Sequence, residues 1–182
     1  GNTRLDATTQ TVNVTNTNSG TVGTGGTVGV DAITLPLLQR PEVQLNAGNT
    51  ALTLSGISQH VVGFALQQGF LMLSGVSAVA RNNLVGMTAT GNSTLATTGI
   101  GITFQGAGAT VRNNFVTVNN SGIRTDSGGA GSLITLNEVA RPTSGHSTTY
   151  DGILLVGTVS STQVIANLTR DQRGGGIEIG FG

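Results

Sequence analysis

Two marks recur in step along this chain. The first is a Gly followed by a large apolar residue: Gly69-Phe70, Gly99-Ile100, Gly122-Ile123, Gly152-Ile153 and Gly176-Ile177. The second is an Asn inside a short apolar stretch: Asn83, Asn114, Asn137 and Asn167. The Gly marks lie 30, 23, 30 and 24 residues apart, and each Asn follows its Gly by 14 or 15. Two marks locked in phase require one structural unit used repeatedly, each burying its apolar side against its neighbours.

Within the unit the apolar spacing is two, the period of a strand, and Gly interrupts any run long enough for a helix. Stacking the segments that follow the Gly marks gives the column Phe70, Ile100, Ile123, Ile153, Ile177 and, two residues on, Met72, Ile102, Thr125, Leu155, Ile179. Around the Asn marks, Ala80, Val111, Ile134 and Val164 form a third inward column, and Val85, Val116, Val139 and Thr169 a fourth. The Asn marks fall between two short strands. There the Asn type suits a corner, because it tolerates left-handed backbone, bonds nearby main chain and can bond to its stacked copies.

Three short strands per unit of ~23 residues, with like residues stacked on like, predict an all-β chain built as a parallel β-helix of about five to six turns. The pattern around ARNNLV, VRNNFV, ITLNEV and VIANLT, each followed by a Gly-Ile pair, resembles the right-handed parallel β-helix repeats of pectate-lyase-like proteins and of bacterial surface and autotransporter passenger proteins. The resemblance covers roughly residues 42 to 181 and implies right-handed winding. It does not select an activity, since that scaffold carries lyases, hydrolases, adhesins and stalks alike. Residues 1–41 differ, with Thr/Val alternation broken by Gly. They read as a strand-rich lead-in or irregular first turn, with 42–182 as the β-helix.

Composition narrows the function classes. Charged residues are only 9% of the chain, all eight cations are Arg, and the net charge is zero, which removes the electrostatic attraction that nucleic acid demands. No apolar run is long enough to span a bilayer as a helix. Cysteine is absent, so there is neither a disulfide nor a thiolate metal site. Low charge with abundant Thr, Asn and Gly fits a secreted or cell-surface protein, and the resemblance implies a bacterial outer surface.

The longer periods owe their length to one place. From Asn to the next Gly is 16 residues after Asn83 and 15 after Asn137, but 8 after Asn114 and 9 after Asn167. Insertions therefore leave one corner on alternate turns, about 10 Å apart along the axis. The second insertion gathers Arg141, His146, Tyr150 and Asp151, with Arg124 and Asp126 on the preceding turn. These six are the binding residues of a polysaccharide-binding or -cleaving reading, in which Asp126 and Asp151 supply the two carboxyls of glycoside hydrolysis. The acids are too scattered for a calcium-dependent lyase, the two His residues have no metal spacing, and no cofactor is implied.

Two further features bear on partners. Leu71, Leu73, Leu154 and Val156 fall on the outward face of the Gly-Ile strands, and Ile177 and Ile179 stand on a turn that the sequence opens without closing. Together they form an expected interface, for a head-to-tail polymer of this chain or for the rest of a longer one. The leading expectation is a non-enzymatic stalk, adhesin or fibre subunit meeting a glycan or host surface. The alternatives are the polysaccharide-active domain and a trimeric phage-spike fragment.

Overall fold

The computed structural model describes residues 2–12, 15–92, 99–117, 120–141, 151–157 and 159–180. The described chain is nearly all β, with one 3-10 segment, Ala7–Val12. One sheet stacks six short strands in parallel, in the order Arg4–Asp6, His60–Val62, Val79–Arg81, Thr110–Arg112, Leu133–Thr135 and Gln163–Ile165. A ten-stranded sheet wraps the remaining sides and nearly closes into a barrel. In one half of it Leu84–Val85, Phe115–Val116, Glu138–Ala140 and Leu168–Arg170 follow the start of Phe64–Leu73. In the other half Ile102–Phe104, Ile123–Thr125, Ile153–Val156 and Ile177–Gly180 follow its end. The long strands Val43–Leu54 and Phe64–Leu73 run through both halves and join them.

The columns flanking the Asn marks pair as the spacing predicts: Ala80 with Val111, Ile134 and Val164, and Val85 with Val116, Val139 and Thr169. The Gly-Ile register needs correction at its first two members. Ile123 pairs with Ile102, not Ile100, and Ile102 pairs with Leu71, so the column is Leu71, Ile102, Ile123, Ile153, Ile177. The sequence offers GIGI at 99–102, and the second Gly-Ile pair is the one in register. At Gly69-Phe70 the offset is one residue, and a slip of one flips every side chain to the other face. Left-handed Gln68, at φ 51°, interrupts the strand alternation just before it. Leu71 and Leu73, expected outside, are therefore core at 1% and 0% exposure. Leu154 and Val156 do lie outward, half-buried. Ile177 and Ile179 belong to inward columns and are 51% and 59% exposed, because no described row covers them.

The left-handed corner residue is not the ladder Asn but the residue before it: Asn82, Asn113, Leu136 and Ala166 have φ of 51–57°. Gly63 occupies the same place one row earlier. A second left-handed column, Ser58, Ser77, Gly108, Gly131 and Ser161, precedes every strand of the six-stranded sheet except Arg4–Asp6. Beside it the rows touch backbone to backbone. A Cβ on Gly106 would lie 2.0 Å from the Gly75 carbonyl oxygen, and one on Gly75 2.0 Å from that of Gly56.

Residues 1–41, read as a strand-rich lead-in or an irregular first turn, contribute strands to the fold. Arg4–Asp6 is the first strand of the six-stranded sheet. Two small antiparallel ribbons follow, Thr21–Val22 with Leu38–Gln39 and Thr27–Val28 with Ile33–Thr34. Leu38 and Val22 pack with Ala65, Leu84 and Phe115, forming a second apolar cluster outside the barrel wall. Met87 and Ala89, from the first long connection, and Ala140 complete it. These outward apolar side chains gain their burial from residues 21–39 and 87–89 rather than from the barrel.

Candidate functional site

The ladder asparagines form a continuous line. Asn83 N and Nδ2 donate to Asn114 Oδ1, Asn114 N and Nδ2 to Asn137 Oδ1, and Asn137 N and Nδ2 to Asn167 Oδ1, all at 2.9–3.0 Å. Each Nδ2 also reaches a main-chain oxygen beside the ladder: Val61, Ala80, Val111 and Ile134 in turn. Asn83, Asn114 and Asn137 are at most 2% exposed. A buried amide is tolerable only when its donors and acceptor are met, and here they are met row by row.

Among the described residues of the polysaccharide reading, the two carboxylates Asp126 and Asp151 are not brought together. Arg124 Nε and Asp126 Oδ1 form an ion pair at 2.5 Å, about one-third exposed. Asp151 is 8% exposed, and its Oδ1 accepts the Gly175 N–H at 2.9 Å, which ties one row to the next. Arg141 donates its main-chain N–H to the Arg170 carbonyl. His146 and Tyr150 lie outside the described residues. Thr125 pairs with Leu155, so Asp126 sits at the far end of its strand from Asp151, which precedes Ile153. Five residues of extended chain separate the two positions, about 16 Å. A hydrolytic pair needs roughly 5–9.5 Å.

Most carboxylates serve the fold. Glu138, whose side chain is 5% exposed, accepts Thr24 N at 2.6 Å, Thr24 Oγ1 at 2.7 Å and Arg170 Nε at 2.8 Å. It pins the first ribbons to the barrel wall. Burial works against the Arg170 charge, but the hydrogen bonds to Glu138 and Asp171 outweigh it and raise the pKa of the guanidinium. Glu42 accepts Asn18 N, Thr17 N and Thr17 Oγ1; the Asn18 and Thr17 donors hold its carboxyl below the usual range. Burial pushes Asp6 up, yet the Thr8 hydroxyl and N–H and the Arg4 guanidinium bring it below its ordinary value.

The chain matches no family model, no curated protein and no solved structure.

One concave place brings polar groups together. A cleft of about 370 Å³ is lined by Thr8, Arg40, Glu42, Gly63, Asn82 and Asn113 among others. It lies where residues 37–42 cross the left-handed corner. Asn113 Nδ2 donates to Asn82 Oδ1 at 2.9 Å. The sequence reading passed over this cleft and over Glu138. A signal for the cleft was present in the repeated triplet Arg-Asn-Asn at 81–83 and 112–114. Nothing local marks the Glu138 contact with Thr24, which joins residues 114 positions apart. Among the described residues no group of three His, Cys, Asp or Glu is placed to hold a metal, and no helix is long and apolar enough to cross a membrane.

Proposed function

We propose that this chain is a non-enzymatic structural module, a right-handed parallel β-helix acting as a stalk, adhesin passenger or fibre subunit outside the cell. The observation that carries the reading is where the polar chemistry goes. Glu42, Glu138 and Asp151 accept hydrogen bonds that tie distant segments together, while Asp6, Asp126 and Asp171 are engaged by neighbours on their own strand or turn. The buried amides are engaged with one another along the stack. A chain that spends its few charges in this way is suited to being stiff rather than to moving protons.

Stiffness has a direct source. Neighbouring rows are linked by parallel ladders on every side, each step adding about 4.8 Å along the stack. The half-exposed Ile177 and Ile179 continue columns that are buried in the rows before them, and they favour axial contact with a further β row. Electron micrographs of native material test the reading. Rods, fibres or surface stalks are the expected images. Compact particles that release reducing sugar from polysaccharide would overturn it in favour of a glycan-cleaving domain.

A further inference from the structure

The stack of rows has two uncovered ends. The first row is Arg4–Asp6 with Val43–Leu54, and the last described row is Gln163–Ile165, Leu168–Arg170 and Ile177–Gly180. Among the described residues, each of these strands has a barrel neighbour on one side only. The outer edge of such a strand is a template for pairing with a further one. Residues 21–39 do not close the edge of the first row. They hold to the barrel wall through Ala65, Leu84, Phe115 and Glu138, all in later rows.

Both ends present the same inward columns. Followed from row to row, the column that starts at Leu5 ends at Val164, and the one that starts at Leu45 ends at Thr169. Likewise Leu52 leads to Ile177 and Leu54 to Ile179. In the first row Leu5 is 38% exposed and Leu45 and Leu52 are half-buried; in the last, Val164 is half-buried beside the exposed Ile177 and Ile179. A first row laid on a last row would therefore continue all four columns. The outward columns are compatible as well. Continued by one row, Arg4 meets Gln163, Asp6 meets Ile165 and Glu178 meets Thr53, so none of these three charges opposes a like charge. Every row-to-row pairing in the barrel is parallel, and two last rows set face to face would break that sense.

We propose that the last row of this chain takes the first row of a second copy, in register and in the same sense. Leu5, Leu52 and Leu54 of one copy then cover Val164, Ile177 and Ile179 of the other, as each row inside the protein covers the next. Such a contact joins unlike surfaces and leaves a free end on each side, so it propagates instead of closing. The inference rests on the fibre-subunit form of the structural role proposed above.

The chain has no cysteine, so single substitutions can report the joint by disulfide trapping. Full chains carrying Leu52→Cys and Ile177→Cys are purified separately, mixed and oxidised. Leu5→Cys with Val164→Cys forms a second pair, on the six-stranded sheet. Register partners across the joint would stand about 4.8 Å apart, within the Cα separation that a disulfide bridges. Each mixture should yield mixed dimers that neither variant gives alone, and one chain carrying both Leu52→Cys and Ile177→Cys should yield a ladder of higher species. If Leu52→Cys does not fold, the second pair still reads the joint, because Leu5 is 38% exposed. No mixed dimer from either folded pair, or Ile177→Cys dimers as abundant as the mixed ones, overturns the proposal. Where the copies stay single but native material shows rods, the head-to-tail contact falls and the structural role stands.

Discussion

Asn114 uses its whole side chain inside the protein. Its Oδ1 accepts from the N and Nδ2 of Asn83, while its Nδ2 serves Ala80 O, Arg112 O and Asn137 Oδ1. Asn114→Ala removes these bonds and strands the Asn83 main-chain N–H out of reach of water, leaving Asn83 Nδ2 only its bond to the Val61 carbonyl. The expected cost is about 3 kcal/mol, or a Tm lower by about 6–12 °C in thermal denaturation followed by circular dichroism. Gly106→Ala acts by a different route. Its methyl carbon would meet a main-chain oxygen at 2.0 Å, and neither row can yield without opening the ladder. A loss of about 3 kcal/mol or more is expected. An alanine at Gly99, whose Cβ would meet nothing within 4 Å, is the control and should leave Tm nearly unchanged.

At the scale of elements, the ribbons of residues 21–39 are held onto the barrel by carboxylates as well as by Leu38 and Val22. Glu42 fastens the chain just before them through Thr17 and Asn18. Its folded-state pKa is depressed below the ordinary 4.5, so on acidification the released form takes up the proton first. The fastening is complete above pH 4.5 and weakens as the pH falls from there through the lower folded-state value. Hydrogen exchange should show Thr17 and Asn18 amides protected at neutral pH and losing protection below 4.5, ahead of the ladder asparagines. Unchanged protection of those two amides down to pH 3 would dissociate the carboxylate from the fastening. The same elements show what the sequence made legible. Each ladder Asn sits in a local apolar frame that fixes its phase, so the corners and the columns beside them could be read directly. The Gly-Ile column failed at Phe70 and Ile100 because a left-handed Gln68 and a doubled Gly-Ile pair shift the register, and strand periodicity cannot distinguish a shift of two. The cover formed by residues 21–39 was illegible because its partners lie far along the chain. The cleft was illegible for a similar reason: Arg40 meets the Asn82 and Asn113 corner only through that crossing.

For the whole molecule, the decisive quantity is how much of each apolar column remains uncovered. Leu71, Ile102, Ile123 and Ile153 are at most 1% exposed, while Ile177 is 51% exposed in the same column. Ile177→Arg together with Ile179→Arg places charge where axial contact would form, while leaving the earlier rows untouched. Sedimentation velocity should show concentration-dependent association of the parent chain and its loss in the double variant. Association that persists in the variant would assign self-contact to another surface, such as Leu154 and Val156.

The asparagine line also has a direction. Every link donates in one sense, from Asn83 through Asn114 and Asn137 to Asn167, so the amide dipoles add rather than cancel. At its starting end the Asn83 oxygen is already met by the main-chain N–H of Phe64, a residue whose side chain has no amide to pass the bond on. The line is therefore a vector, closed at its acceptor end. It can be lengthened only past Asn167, by a row that presents another side-chain oxygen, so this stack distinguishes its two ends chemically as well as by shape.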